Sequence, residues 1–360
     1  MSNQRIARAR EAMAVAGVDI MVLSVGADLP YLIGYEAMPS ERLTMAVFPA
    51  TGTPRLLVPE LEAPRVAVDP EVCRVQPWGE RERPVDLIAA MLAGASTVAI
   101  GDHTWARFLL ALQEGASSLR FVPASTITAP LRLVKDHGEI ALLTAAGAAA
   151  DRVAARLAAE RFSGRTERHL GRFVADALVE EGHDTAAFTI VASGPNGASP
   201  HHEPTDRVIE LGDTVVIDFG GRIGGYCSDT TRTFSVGEPS TEVAAAYEAL
   251  QRAQQTGVEA VRPGVTAESI DTATRRVLDD AGYGRWFIHR TGHGIGLEVH
   301  EDPYLVAGNH RPLEPGMAFS VEPGVYLPGR FGMRIEDIVV VTANGGRRLN
   351  ESSRALVVVG

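Results

Sequence analysis

The chain has a single lysine, Lys135; the other 33 basic residues are arginine. No lysine follows a glycine, which excludes a GxxxxGK phosphate loop, and Schiff-base chemistry could rest only on Lys135. Cysteine is almost as scarce. Cys73 and Cys227 form neither a disulfide framework nor a CxxC pair for zinc or redox work, a pattern that suits a reducing compartment. No stretch approaches the roughly 20 apolar residues of a membrane helix. The N-terminal segment carries Arg5, Arg8 and Arg10, but Asp19 breaks its apolar stretch and no AxA-like cleavage site follows. The expectation is a cytoplasmic protein with no membrane partner. Basic charge is also in deficit: 34 Lys+Arg against 45 Asp+Glu gives a net charge of −11 and a pI near 5.4. That argues against a nucleic-acid partner. An acid surplus is also a sign of clustered carboxylates, and carboxylates hold hard cations.

What is present is ordinary globular composition over 360 residues, 45% hydrophobic and 22% charged. The first third alternates helix and strand patterns. A helix is predicted over 3–16, ending at Gly17, with strands at 18–24, 43–50, 54–60, 96–102 and 119–125 and helices at 85–93 and 104–114. This predicts an α/β domain over 1–130. Pro130 is expected to break the chain, and an Ala-rich helix-forming segment follows at 139–161. Beyond it, helices (166–181, 239–259, 266–281) and strands (185–194, 213–221, 224–234, 317–327, 332–343, 354–360) are grouped, which predicts an α+β domain over 131–360. Helices followed by strands occur twice, at 139–234 and 239–341. The order suggests an internal duplication without a clear residue-level repeat.

Half of the ten histidines fall in two short segments, SPHHEP (199–204) and HRTGHGIGLEVHE (289–301). Four acids interrupt apolar runs: Asp218 in VVIDFGG, Asp229 in YCSDTTRTF, Glu322 in AFSVEPGVY and Glu336 in MRIEDIVVV. Glu322 is read at a strand-like position. An ionised carboxylate in such a run is costly to bury unless paired or metal-bound, and several buried together repel until some protonate. Divalent cations resolve the repulsion. The residues therefore point to a two-metal site of Asp218, Asp229, His293, Glu322 and Glu336. Four carboxylates bring enough oxygens to bridge two ions about 3.5–4 Å apart. One imidazole and no thiolate disfavour structural zinc. Oxygen-rich ligation suits Mn²⁺ best, then Co²⁺, Fe²⁺ or Zn²⁺.

The segments SGPNGASPHHEPTDRVIELGDTVVIDFGG, YCSDTTRTF, HRTGHGIGLEVHE, FSVEPGVY and MRIED resemble those of the pita-bread metallopeptidases (family M24). Within that family they are most similar to the Xaa-Pro peptidases, prolidase and aminopeptidase P. Creatinase and methionine aminopeptidase are more distant. The likeness covers about residues 131–350, and the first 130 residues look more loosely like the creatinase-type N-terminal domain. The resemblance implies a pita-bread fold of pseudo-twofold duplicated halves. It implies Asp218 on one metal, Asp229 and Glu336 bridging both, and His293 and Glu322 completing the two shells. Glu322 would also be the general base. His201 matches the histidine of a PH motif at the scissile amide, although His202 is its neighbour. His300 would stabilise the oxyanion. His289 would lie near a proline pocket or orient other groups. Arg334 would contact the substrate or a ligand acid.

The implied activity is metal-dependent hydrolysis of Xaa-Pro bonds in short proline-containing peptides, with a metal-bridging hydroxide as the nucleophile. Such bonds lack an amide N–H. The resemblance also implies a homodimer, with the N-terminal domain helping to limit substrate length. The main alternative is a metal-dependent hydrolase of a non-peptide amide, of the ectoine-hydrolase kind, on the same scaffold. The full ligand set argues against a metal-free creatinase-like reaction and against a catalytically silent binding module.

Overall fold

The computed structural model describes residues 2–360, which divide between Arg132 and Leu133 into two compact units. The first unit contains α1 (Ser2–Ala16), β1 (Ile20–Leu23), α2 (Asp28–Ile33), β2 (Met45–Pro49), β3 (Arg55–Pro59), β4 (Arg74–Trp78), α3 (Pro84–Met91), β5 (Thr97–Ile100), α4 (Ala106–Gly115) and β6 (Arg120–Pro123), with α5 (Ser125–Leu133) at its end. Its six strands form one sheet in the order β4-β3-β2-β1-β5-β6. The pairs β1–β2 and β2–β3 are antiparallel, and the outer pairs are parallel. Val22, Leu57, Val98 and Leu112 are fully buried in the core between this sheet and its helices. Pro130 does not break the chain as expected: it lies inside α5. Its missing N–H costs one helical bond, while buried Leu131 and Leu133 and the Tyr31 hydroxyl, which donates to Leu131 O at 2.8 Å, hold the last turn.

The second unit repeats one plan. First come α6 (His137–Ala158), α7 (Glu167–Glu180), β7 (Thr185–Ser193), β8 (Thr214–Ile223), β9 (Tyr226–Cys227) and β10 (Thr230–Val236). Then come α8 (Thr241–Ala260), α9 (Ala267–Asp280), β11 (Gly292–Gly294), β12 (Glu301–Leu305), β13 (Ala318–Val321), β14 (Gly324–Leu327), β15 (Phe331–Arg334), β16 (Asp337–Thr342), β17 (Gly345–Arg348) and β18 (Val357–Val359). One sheet runs β18-β10-β8-β7 with β9 beside β8, the other runs β12-β11-β13-β16-β17, and β14–β15 is a separate hairpin. Leu157, Leu170 and Val174 pack on Val215, Ile217 and Phe234 in the first half. Val261 and Ile270 pack on Phe319, Val321 and Val339 in the second. A capping box starts α6: Asp136 accepts from the Glu139 N–H and Glu139 from the Asp136 N–H.

The duplication extends to individual hydrogen bonds. Thr166, at the N-cap position of α7, bridges to Val208, and Thr266, at the N-cap position of α9, bridges to Pro312, although only Thr166 makes a side-chain cap. Gly164 N–H donates to Ile209 O, and Gly264 N–H to Leu313 O. Gly164 and Gly264 share φ near +84°, at 83° and 85°, and Gly212 and Gly316 share 93° and 96°. The repeat escapes the sequence because it survives in caps and turns rather than in apolar side chains. Among the described residues no helix is long and apolar enough to cross a membrane.

Candidate metal centre and substrate pocket

Asp218 lies in the middle of β8, opposite Thr231 of β10 and Ile190 of β7. The other three acids do not lie within strands, contrary to the strand-like position read for Glu322. Asp229, Glu322 and Glu336 each occupy a two-residue break, between β9 and β10, β13 and β14, and β15 and β16. A break frees a side chain from strict up–down alternation. Three carboxylates can therefore turn toward one point while the flanking apolar residues stay in the core. His293 is the central residue of β11, and its N–H donates to Ser320 Oγ at 3.0 Å.

These five side chains meet. The ligand atoms of Asp218, Asp229 and Glu336 lie within 4.8 Å of one another, as do those of His293, Glu322 and Glu336, so the two groups share Glu336. His293 Nδ1 lies 3.1 Å from Gly294 O, which only accepts, so Nδ1 carries the proton and the Nε2 lone pair faces the acids. That nitrogen is 3.3 Å from Glu322 Oε1 and 3.6 Å from Asp229 Oδ2. Burial, then the nearby His300, pushes the His293 pKa down to about 3, so the ring is neutral. Burial raises Glu322 to about 7. Burial raises Asp229 and Glu336 well above the carboxylate range, and repulsion from the neighbouring acids adds to it. Among the described residues, Asp218 Oδ1 and Glu336 Oε1 are buried without any hydrogen-bond donor. Acids that resist ionisation, carboxylate oxygens with no donor and a neutral imidazole lone pair are what a pair of divalent cations satisfies. The donor set fits hard or borderline ions.

Arg334, only 3% exposed, ties the site together. Its Nη2 donates to Asp218 Oδ2 at 2.7 Å, Nε to Thr231 Oγ1 at 3.0 Å, and Nη1 to Tyr326 OH at 2.8 Å and Pro200 O at 3.3 Å. Thr231 Oγ1 in turn donates to Glu336 Oε2 at 2.7 Å. His289 Nδ1–H donates to Arg290 O at 2.7 Å, so its Nε2 accepts the Tyr326 hydroxyl proton at 2.9 Å. Both ring nitrogens of His289 are engaged, and only its ring faces the pocket. Burial, then Arg334, pushes the His289 pKa down to about 4.

A cavity of about 860 Å³ opens over this cluster, lined by Phe188, Ile190, His201, Ile288, Arg290, Val299 and His300 together with the five candidate ligands, His289 and Arg334. The adjacent histidines part ways here: His201 lines the cavity, while His202 Nε2 turns into the protein and donates to Glu167 Oε2 at 2.9 Å. The His300 ring lies 4.0 Å from that of His293. Arg290 stacks on Tyr304 at 4.2 Å, and among the described residues no carboxylate pairs with its guanidinium.

Four residues of this region carried no signal in the sequence: Glu167, Arg290, Tyr326 and Asp271. Asp271 of α9 accepts from the Thr291 N–H and hydroxyl, and Thr291 O accepts the Glu322 N–H at 2.8 Å. One acid on α9 thus locates the backbone of two candidate ligands.

The fold and this converging acid–histidine cluster define a metallopeptidase: the chain belongs to Metallopeptidase family M24, whose pattern matches residues 141–343, and residues 5–134 match the Creatinase/Prolidase N-terminal domain. The chain is 49% identical over 361 residues to a probable dipeptidase PepE of Mycobacterium tuberculosis, covering 99% of this chain and 96% of that one. It is 32% identical to a Xaa-Pro dipeptidase of Pyrococcus horikoshii, over 99% of both chains. Among solved structures, prolidase from Thermococcus sibiricus superposes with a TM-score of 0.95 at 35% identity, covering 100% of this chain and 99% of that one. The expected architecture, a creatinase-type N-terminal domain followed by a pita-bread catalytic domain, is the one found.

Proposed function

We propose that this chain is a Xaa-Pro dipeptidase that uses two divalent metal ions, Mn²⁺ by preference. The observation that carries the proposal is the convergence of Asp218, Asp229, His293, Glu322 and Glu336, two carboxylate oxygens among them lacking any donor, at the floor of a cavity sized for a short peptide. Asp218, Asp229, His293, Glu322 and Glu336 would hold the two ions, with Glu336 common to the two groups of ligand atoms. When bound, the cations supply a hydroxide nucleophile near neutral pH and polarise the scissile carbonyl.

The protein's own groups do the rest. Glu322, whose pKa is raised to about 7 by burial, is the base and proton carrier to the departing proline nitrogen. His201 and His300 lie on the substrate side, His201 at the scissile amide and His300 at the developing oxyanion. Phe188, Ile190, Ile288 and Val299 give the apolar wall against which a proline ring packs. Arg290, with no carboxylate of its own, suits the terminal carboxylate of a dipeptide, which favours dipeptidase over aminopeptidase action. Tyr326 and Arg334 fix Asp218 from behind. The names of the relatives support the same substrate class. The two family matches, at 5–134 and 141–343, support reading residues 1–130 and 131–360 as two domains; we further propose a cytoplasmic homodimer, whose dimeric state light scattering of the purified protein tests.

The test of substrate class offers the metal-loaded protein Ala-Pro, Gly-Pro and Ala-Pro-Ala beside an N-acetylated diamine. Cleavage of the dipeptides ahead of the tripeptide supports the reading. Preference for Ala-Pro-Ala makes the chain an aminopeptidase, and cleavage of the N-acetylated diamine alone makes it a non-peptide amide hydrolase.

A further inference from the structure

Glu167 is the first residue of α7, fully buried and remote in sequence from every metal-ligand candidate. Its carboxylate accepts from both ends of one loop. At the near end are the Ser193 N–H and hydroxyl, both at 2.8 Å, and the Asn196 amide at 3.0 Å. At the far end are His202 Nε2–H at 2.9 Å, the Thr205 N–H at 3.1 Å and the Thr205 hydroxyl at 2.6 Å. His201 lies between these two grips and faces the cavity. On its other side the loop meets β15: Pro200 O accepts from Arg334, and Gly197 lies so close to Gly332 that a Cβ on Gly332 would come within 1.7 Å of Gly197 O. Such a contact admits only glycine. The loop is thus clamped from behind by a charge and from the front by backbone contact with the element that bears Arg334.

We propose that Glu167 is a positioning residue for His201, acting through His202, Asn196 and Thr205 to hold the substrate-side wall of the pocket. The inference rests on the Xaa-Pro reading only in taking His201 as substrate-contacting. Burial by itself would raise the carboxyl, but the bonds from Thr205, Ser193, His202 and Asn196 bring it down to about 2, so the grip is anionic throughout the working range. A glutamine there would turn an N–H₂ toward donors that now all point at oxygen, and would loosen the loop without touching the acids of the metal cluster.

The experiment uses the full-length, Mn²⁺-loaded protein and the variant E167Q. Amide hydrogen exchange over 194–204 is expected to rise about tenfold while that of β8, β10 and β16 is unchanged. KM for Ala-Pro is expected to rise about tenfold with kcat within about threefold, and bound metal, measured by elemental analysis, should match the wild type. Unchanged loop exchange, or a loss confined to kcat or to bound metal, overturns the proposal. Should E167Q not fold, T205V removes the 2.6 Å donor to Glu167, together with the acceptor of the Arg207 N–H at 3.2 Å, and is expected to shift loop exchange and KM in the same direction. A T205V protein identical to wild type in both likewise overturns the proposal. If the wild type cleaves no Xaa-Pro peptide, the functional reading fails, while loop exchange still decides the role of Glu167.

Discussion

Asp218 and Glu322 hold the same place in the two halves of the catalytic domain: each follows by six residues a glycine with φ near +95°, Gly212 at 93° and Gly316 at 96°. Their surroundings differ. Asp218 accepts a charged hydrogen bond from Arg334 at 2.7 Å, whereas Glu322 accepts from the neutral Ser320 hydroxyl at 3.1 Å. At one duplicated position the carboxylate is clamped by a cation, and at the other it is held by a neutral hydroxyl.

Two isosteric changes separate these roles. E322Q is expected to lower kcat by about 10²–10⁴-fold, the range for losing a general base, with most of the metal retained. D218N is expected to lower metal content first and activity as a consequence. Elemental analysis paired with steady-state kinetics on Ala-Pro checks both.

Arg334 is the cation closest to the cluster, and its removal strands Asp218. R334M is expected to destabilise the metal-free protein by about 3–5 kcal/mol, as when one partner of a buried pair is lost. Mn²⁺ supplies the missing positive charge, so the gap between R334M and wild type should narrow in its presence. For the wild type, ion at a hundred times its Kd should add about 2.7 kcal/mol. Thermal unfolding of both proteins with and without Mn²⁺ measures these differences.

Arg290 is expected to act on the substrate end rather than on chemistry. R290A should raise KM for Ala-Pro about tenfold or more, the size expected for losing a charge-assisted bond. It should change the kinetics of Ala-prolinamide, which lacks the carboxylate, by less than about twofold. Equal losses on both substrates would place Arg290 elsewhere in the mechanism.

Acid stability carries the signature of Glu167. Its carboxyl titrates near 4.5 when free and is held down to about 2 in the fold. A depressed acid stabilises the folded state fully above about pH 4.5, and that contribution is lost as pH falls towards 2. The stability gap between wild type and E167Q should therefore shrink across that window. Denaturant unfolding at several pH values tests the sign, since a constant gap would mean that the charge of Glu167 does not contribute.

The metal-ligand candidates were legible because an acid in an apolar run announces its own cost. Asp218, Glu322 and Glu336 stand out against valine, isoleucine or phenylalanine neighbours, Asp229 stands out in a strand-forming segment of cysteine, threonines and aromatics, and His293 stands out by its flanking glycines. What the sequence hid was relational. The partition of His201 from His202 depends on Glu167, more than 30 residues upstream. The breaks that carry Asp229, Glu322 and Glu336 are only two residues long, so strand-forming residues on either side make each segment look like one continuous strand. Tyr326 reads as a core aromatic until Arg334 and His289 are seen at its hydroxyl. The duplication survives in threonines at N-cap positions and in left-handed glycines, which an apolar-periodicity reading passes over.

The most direct test of the two-metal account is a titration of the metal-free protein with Mn²⁺ while Ala-Pro hydrolysis is followed. The account predicts no turnover without metal and a rise to a plateau at two ions per chain. Full activity in the metal-free protein, a plateau at one ion, or no cleavage of Ala-Pro with two ions bound would contradict it.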